Sequence, residues 1–136
     1  MKRRRRVACA AALVVLAATL VHDAVAATAI RHARPFVVLV LAGVIAVALL
    51  ALAPRIRSWV VALGAGIAAG GGLATLVSGL AWAGGVPDPL VRGGIAFNLA
   101  DLAIAVGDAV LVAGACAHAW RNRARLRQPF SIYEKA

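Results

Sequence analysis

WVVALGAGIAAGGGLATLVSGLAWA, residues 59–83, runs for 25 positions without a charged side chain. As an α-helix it extends about 37 Å at 1.5 Å per residue, more than the roughly 30 Å hydrocarbon core of a bilayer. The stretch does not alternate apolar and polar residues and is too long for a barrel strand, and a backbone in lipid must satisfy its own hydrogen bonds. A membrane-spanning helix meets these conditions. Three more apolar blocks flank it, at residues 7–29, 36–53 and 95–120, each near the roughly 20 residues a spanning helix needs. The connectors at 31–35, 54–58 and 84–94 are short, and the last is rich in Gly and Pro, as a loop should be. The expected fold is therefore an all-α integral membrane protein, a four-transmembrane-helix bundle forming one membrane domain over residues 1–136 with a basic tail at 121–136.

Composition points the same way, since 63% hydrophobic residues and a mean hydropathy of +0.90 exceed what a soluble core requires. The net charge of +10 does not imply a nucleic-acid partner, because the arginines sit in runs between apolar blocks rather than across a folded polar surface. They read as orientation signals for a bacterial plasma membrane, where positive residues beside spanning helices stay in the cytoplasm. With the N-terminus inside, twelve Lys and Arg face the cytoplasm, and only Arg31, Arg34 and Arg92 lie outside. Both termini are then expected to be cytoplasmic, with Asp88 facing outward, Trp59 and Trp120 at the inner interface and Trp82 at the outer one. The first block also fits a cleavable signal peptide, with a basic start and the small-residue pattern Ala24, Val25, Ala26. Its apolar run is longer than a usual signal core, which favours an uncleaved helix. Cys9 and Cys116 have no metal-ligand spacing and read as small core residues.

The five acids, Asp23, Asp88, Asp101, Asp108 and Glu134, carry most of the chemical information. An ionisable group inside an apolar block is costly and marks a candidate functional site. With the fourth helix starting near residue 95, Asp101 is expected about 10 Å below its outer end, on the same face as Asn98. Asp88 lies between Pro87 and Pro89, which hold it extended. The two acids can then meet at the membrane boundary. Two carboxylates held close divide proton transfer between them: one ionised and accepting from water, one protonated and donating to a carbonyl. The plainer alternatives are turn chemistry for Asp88 and an interhelical hydrogen bond for Asp101. Asp108, two turns beyond Asp101, is expected to bond Ser78, Thr75 or Thr19 and to serve structure.

Gly70, Gly71, Gly72 and Leu73, then Gly84 to Asp88, then Phe97, Asn98, Leu99, Ala100, Asp101, Leu102, Ala103, Ile104 and Gly107 resemble signal peptidase II, the lipoprotein signal peptidase family. The FNLAD stretch is the specific part, and the resemblance spans about residues 70–114. It implies Asp88 and Asp101 as the catalytic pair of an aspartic endopeptidase, with Asn98, Gly71 and Gly72 orienting groups or binding substrate. The implied reaction removes the signal peptide of a diacylglyceryl-modified prolipoprotein and needs no metal or organic cofactor, so the implied partners are that substrate and membrane lipid. Asp23 matches an acid of the family only weakly. The chain also departs from the family pattern. Thr75, Ser78 and Gly79 stand where the family has Asn, Asp and Arg, Pro87 and Pro89 replace Val and Phe around the first aspartate, and the external segment after the first helix is reduced to residues 31–35. These departures favour the alternatives, a non-catalytic relative that binds lipidated or signal-peptide helices or a small structural membrane protein, whereas the retained Asp88, Asp101 and FNLAD stretch favour the endopeptidase, which is the expected function.

Overall fold

A computed structural model of the chain describes residues 1–26, 30–82, 84–92 and 95–126. Four long helices dominate it: α1 (Lys2–Val25), α2 (Phe36–Leu52), α3 (Trp59–Ala81) and α4 (Leu99–Arg121), followed by a single turn, α5 (Arg123–Leu126). All four are long and apolar enough to cross a membrane. A 3-10 turn (Ala53–Arg55) ends α2, and Ser58 then caps α3 by accepting from the Val61 amide at 3.4 Å. The expected extensions to residues 27–29 and 83, and the tail at 127–136, lie outside the described residues.

α3 is the central helix. Two-thirds (67%) of its most apolar window is buried, against 22% or less for each of the other three. That follows from its small residues, which let neighbouring backbones approach. On one side Gly64, Ala68 and Gly71, spaced at i, i+4 and i+7, meet α4. A Cβ on Gly71 would lie 2.7 Å from the Ala100 carbonyl oxygen, and one on Gly107 would strike the Ala68 backbone. Gly66 and Gly70 face α1 in the same way. The large side chains turn outward instead: Phe36, Val37, Leu41, Val44 and Val47 of α2 are all more than half exposed. So continuous an apolar surface marks contact with something other than water, and lipid fits it. Cys116 lies on this outer surface of α4 rather than in the core expected for it, because α4 buries the line of Ala100, Gly107 and Gly114; Cys9 is half-buried.

The connectors hold structure that helical reading alone does not predict. β1 (Ile30–His32) pairs antiparallel with β2 (Val86–Asp88), and β3 (Leu90–Arg92) pairs antiparallel with β4 (Ile95–Phe97). The fourth helix therefore begins at Leu99, and residues 95–97 form a strand. Asn98 sets the boundary with a capping box: its side chain accepts from the Asp101 amide at 2.9 Å, while Asp101 accepts from the Asn98 amide at 3.3 Å. Each ladder has only two strands, so Pro87 and Pro89 find positions where a missing N–H does no damage. Gly84 and Gly85 turn the chain from α3 into β2, both with φ near +100°. At Gly85 a Cβ would collide with the His32 carbonyl, so the close approach of β2 to β1 needs glycine there.

Candidate active site

Where the two ladders meet the start of α4, they bring Asp88 and Asp101 together. Asp88 ends β2 with its side chain only 3% exposed. Its Oδ1 accepts from Asn98 Nδ2 at 3.1 Å, and its Oδ2 lies 2.9 Å from His32 Nδ1, which donates when that nitrogen carries the proton. Asp101 is the third residue of α4 and is 28% exposed. One guanidinium nitrogen, Arg34 Nη2, donates to its two carboxylate oxygens at 2.9 and 3.2 Å and lies 3.8 Å from Asp88 Oδ1. The carboxylates thus converge on a single nitrogen, no further apart than those distances together allow.

This arrangement corrects the expected depth of Asp101. The carboxylate does not sit 10 Å down a helix; it belongs to the first turn, because Asn98 caps α4 and residues 95–97 are taken by the hairpin. Asn98 has a double role. Its carboxamide oxygen caps the helix while its NH2 holds Asp88, so one side chain couples the helix that carries Asp101 to the strand that carries Asp88.

Arg34 and His32 were not among the expected site residues. Both belong to the 31–35 connector, whose sequence by itself shows only a short span and its charge. The available signal was Arg34 itself, one of three basic residues on the side that the charge bias leaves nearly empty, where a cation calls for a local partner. With Pro35, Val38 and Ala96 they border an open depression of about 400 Å³ that reaches Asp88.

The other expected residues separate. Gly71 is closed off by Ala100 and Ile104 of α4, and its carbonyl accepts from the Thr75 hydroxyl at 3.1 Å. Gly72 faces α2 and floors a groove of about 310 Å³ between α2 and α4, whose walls include Leu41, Ile45 and Ile104. Asp108 lines this groove and has no side-chain hydrogen bond among the described residues. None of its three expected partners bonds it: Thr75 bonds its own helix, Ser78 donates to Asp23 at 2.6 Å, and the buried Thr19 hydroxyl has no partner among the described residues. Asp23 is the fully buried acid, tied to α3 by Ser78 with its second oxygen 3.7 Å from His22 Nδ1. Gly79 packs against Leu39 of α2. Among the described residues no group of three or more His, Cys, Asp or Glu is placed to hold a metal ion.

No protein-family model matches the chain, and no curated protein or solved structure matches it. The likeness to lipoprotein signal peptidases therefore rests on the quoted residues alone.

Proposed function

We propose that the protein is a multi-pass membrane aspartic endopeptidase of the bacterial plasma membrane, which removes signal peptides from diacylglyceryl-modified prolipoproteins. The observation that carries this reading is the convergence of Asp88 and Asp101 on Arg34, coupled through Asn98, at one end of an apolar bundle. An ionised carboxylate of the pair takes a proton from water as its oxygen attacks the peptide carbonyl carbon. The protonated partner donates to the carbonyl oxygen, and collapse of the tetrahedral species breaks the C–N bond as the leaving nitrogen is protonated. Arg34 keeps both acids in register before substrate arrives. The substrate class comes from the FNLAD resemblance. The groove between α2 and α4 suits it, being open to lipid along the path by which a signal-peptide helix would approach.

The deciding experiment is incubation of purified protein with a diacylglyceryl-modified prolipoprotein, with cleavage expected immediately N-terminal to the modified cysteine. Arg34 also favours a second reading, because a neutralised acid pair describes equally well a non-catalytic protein that binds lipidated helices. Stable binding of the precursor with no cut by the wild-type chain establishes that second reading.

The twelve-to-three bias predicts that the acid-pair end faces outward. Single cysteines at Leu90 and at Arg57, in a background lacking Cys9 and Cys116, should react oppositely with an impermeant thiol reagent in intact cells, Leu90 labelling and Arg57 not. The reverse pattern inverts the topology.

Asp108 gives a further prediction. Its side chain faces a groove rather than a bonded partner, so Asp108→Leu should fold at least as well as the wild type in thermal unfolding. Removing an acid from lipid contact relieves a cost of about 2–3 kcal/mol. A fall in folded yield would show that Asp108 has a structural partner.

A further inference from the structure

We infer that the opposite end of the bundle carries a binding site for the phosphate of an anionic phospholipid, in a cleft between α3 and α4. The cleft, about 380 Å³, is lined among others by Arg57, His118 and Arg121 and by Val60, Ala113 and Ala117. Two guanidinium groups and an imidazole border one opening, and neither Arg57 nor Arg121 forms an ion pair among the described residues. The described acids, Asp23, Asp88, Asp101 and Asp108, are all engaged or placed elsewhere. Cations gathered around a cleft without an anion leave an unbalanced field. The cleft also lies at the N-terminus of the 23-residue α3, whose partial positive charge offsets the partial negative charge of the α4 C-terminus beside it, so the cations set the sign of the field.

The remaining wall argues for a lipid. Val60, Ala113 and Ala117 continue from the cationic rim along the bundle, giving an amphipathic ligand a charged end and an apolar body to match. Trp59, which stacks under Arg3 at 5.8 Å, and Trp120, which stacks under Arg123 at 4.8 Å, mark this level as the membrane interface. A basic recess between spanning helices at that level suits an anionic headgroup. The site is separate from the acid pair at the other end, so it does not depend on the proposed peptidase activity.

The test is native mass spectrometry of the full chain in neutral detergent, loaded with phosphatidylglycerol, phosphatidylcholine or inorganic phosphate. Phosphatidylglycerol should be retained at least about tenfold better than phosphatidylcholine. Arg57→Gln and Arg121→Gln should each weaken retention about fivefold and the double variant about thirtyfold, the scale for one basic residue at an anionic surface. Arg57→Lys should retain most binding, and Arg4→Gln with Arg5→Gln, at the same end on α1, should change little. Unchanged far-UV circular dichroism establishes that the variants are folded. Equal retention of the two lipids overturns the proposal, as does a loss in the α1 control equal to that of Arg57 and Arg121. Displacement of the lipid by equimolar inorganic phosphate overturns it too, since the ligand is then free phosphate.

Discussion

Asp88→Asn and Asp101→Asn should each abolish cleavage of a diacylglyceryl prolipoprotein, lowering the rate by about four orders of magnitude, while the protein still accumulates and folds. In the proposed reaction neither carboxylate alone can both activate water and protonate the carbonyl, so the two would act as one unit, and removing either would remove the unit. The double variant should then be no worse than either single one, the mark of groups that work together. Asn is nearly isosteric with Asp and can still accept the bond from Asn98 at position 88, which separates lost chemistry from lost structure. The neighbours should behave differently. Arg34→Gln leaves both acids in place and loosens only their alignment, so its loss should be about a hundredfold at most. Asn98→Ala removes both the cap of α4 and the donor to Asp88, and should lower stability as well as rate by about 1–2 kcal/mol for the cap alone. Cleavage at the wild-type rate by both aspartate variants would exclude the acid pair, whatever the FNLAD segment resembles.

The parts of this architecture that sequence makes legible are those governed by one physical demand. An apolar slab of fixed thickness requires long uncharged runs, so the four helices could be placed from hydropathy. The start of α4 could not, because Ile95, Ala96 and Phe97 are as apolar in a strand as in a helix. Its boundary was nevertheless written in the spacing of Asn98 and Asp101, which is that of a capping box. The roles of Arg34 and His32 depend on a ladder joining segments 56 residues apart, and no local pattern announces that pairing. Asp108 shows the opposite limit. Helical periodicity gives its position relative to Asp101, but the rotation of α4 about its axis is set by Gly107 and Gly114 packing against α3. Ser78 has a polar role that its position alone does not announce, donating to the buried Asp23 across from α3 to α1.

Gly107→Leu should cost about 3 kcal/mol or more and take the site with it. Overpacking a well-fitted contact costs about 1–3 kcal/mol when side chains can give way. Here the obstruction is the backbone of Ala68, with its amide and Cα directly in the path of any Cβ. α4 must therefore shift away from α3, and because Asn98 and Asp101 ride on the first turn of α4, the shift also separates Asp101 from Asp88. The same methyl group placed at two glycines tests the reasoning. Gly79→Ala meets no backbone, only the end of the buried Leu39 side chain, with its two methyls at 2.6 and 2.8 Å, which has to shift while both helices stay in place. The helix preference of alanine, about 1 kcal/mol over glycine, should then leave that variant neutral or slightly stabilised. Gly107→Ala gains the same preference but meets backbone, so it should unfold at lower temperature than the wild type and cleave more slowly. Thermal unfolding in detergent, followed by circular dichroism beside the cleavage assay, reads both quantities. Equal unfolding temperatures for the two alanine variants would mean that α3 and α4 are not in backbone contact at Gly107, and the coupling between bundle packing and the acid pair would fall with it.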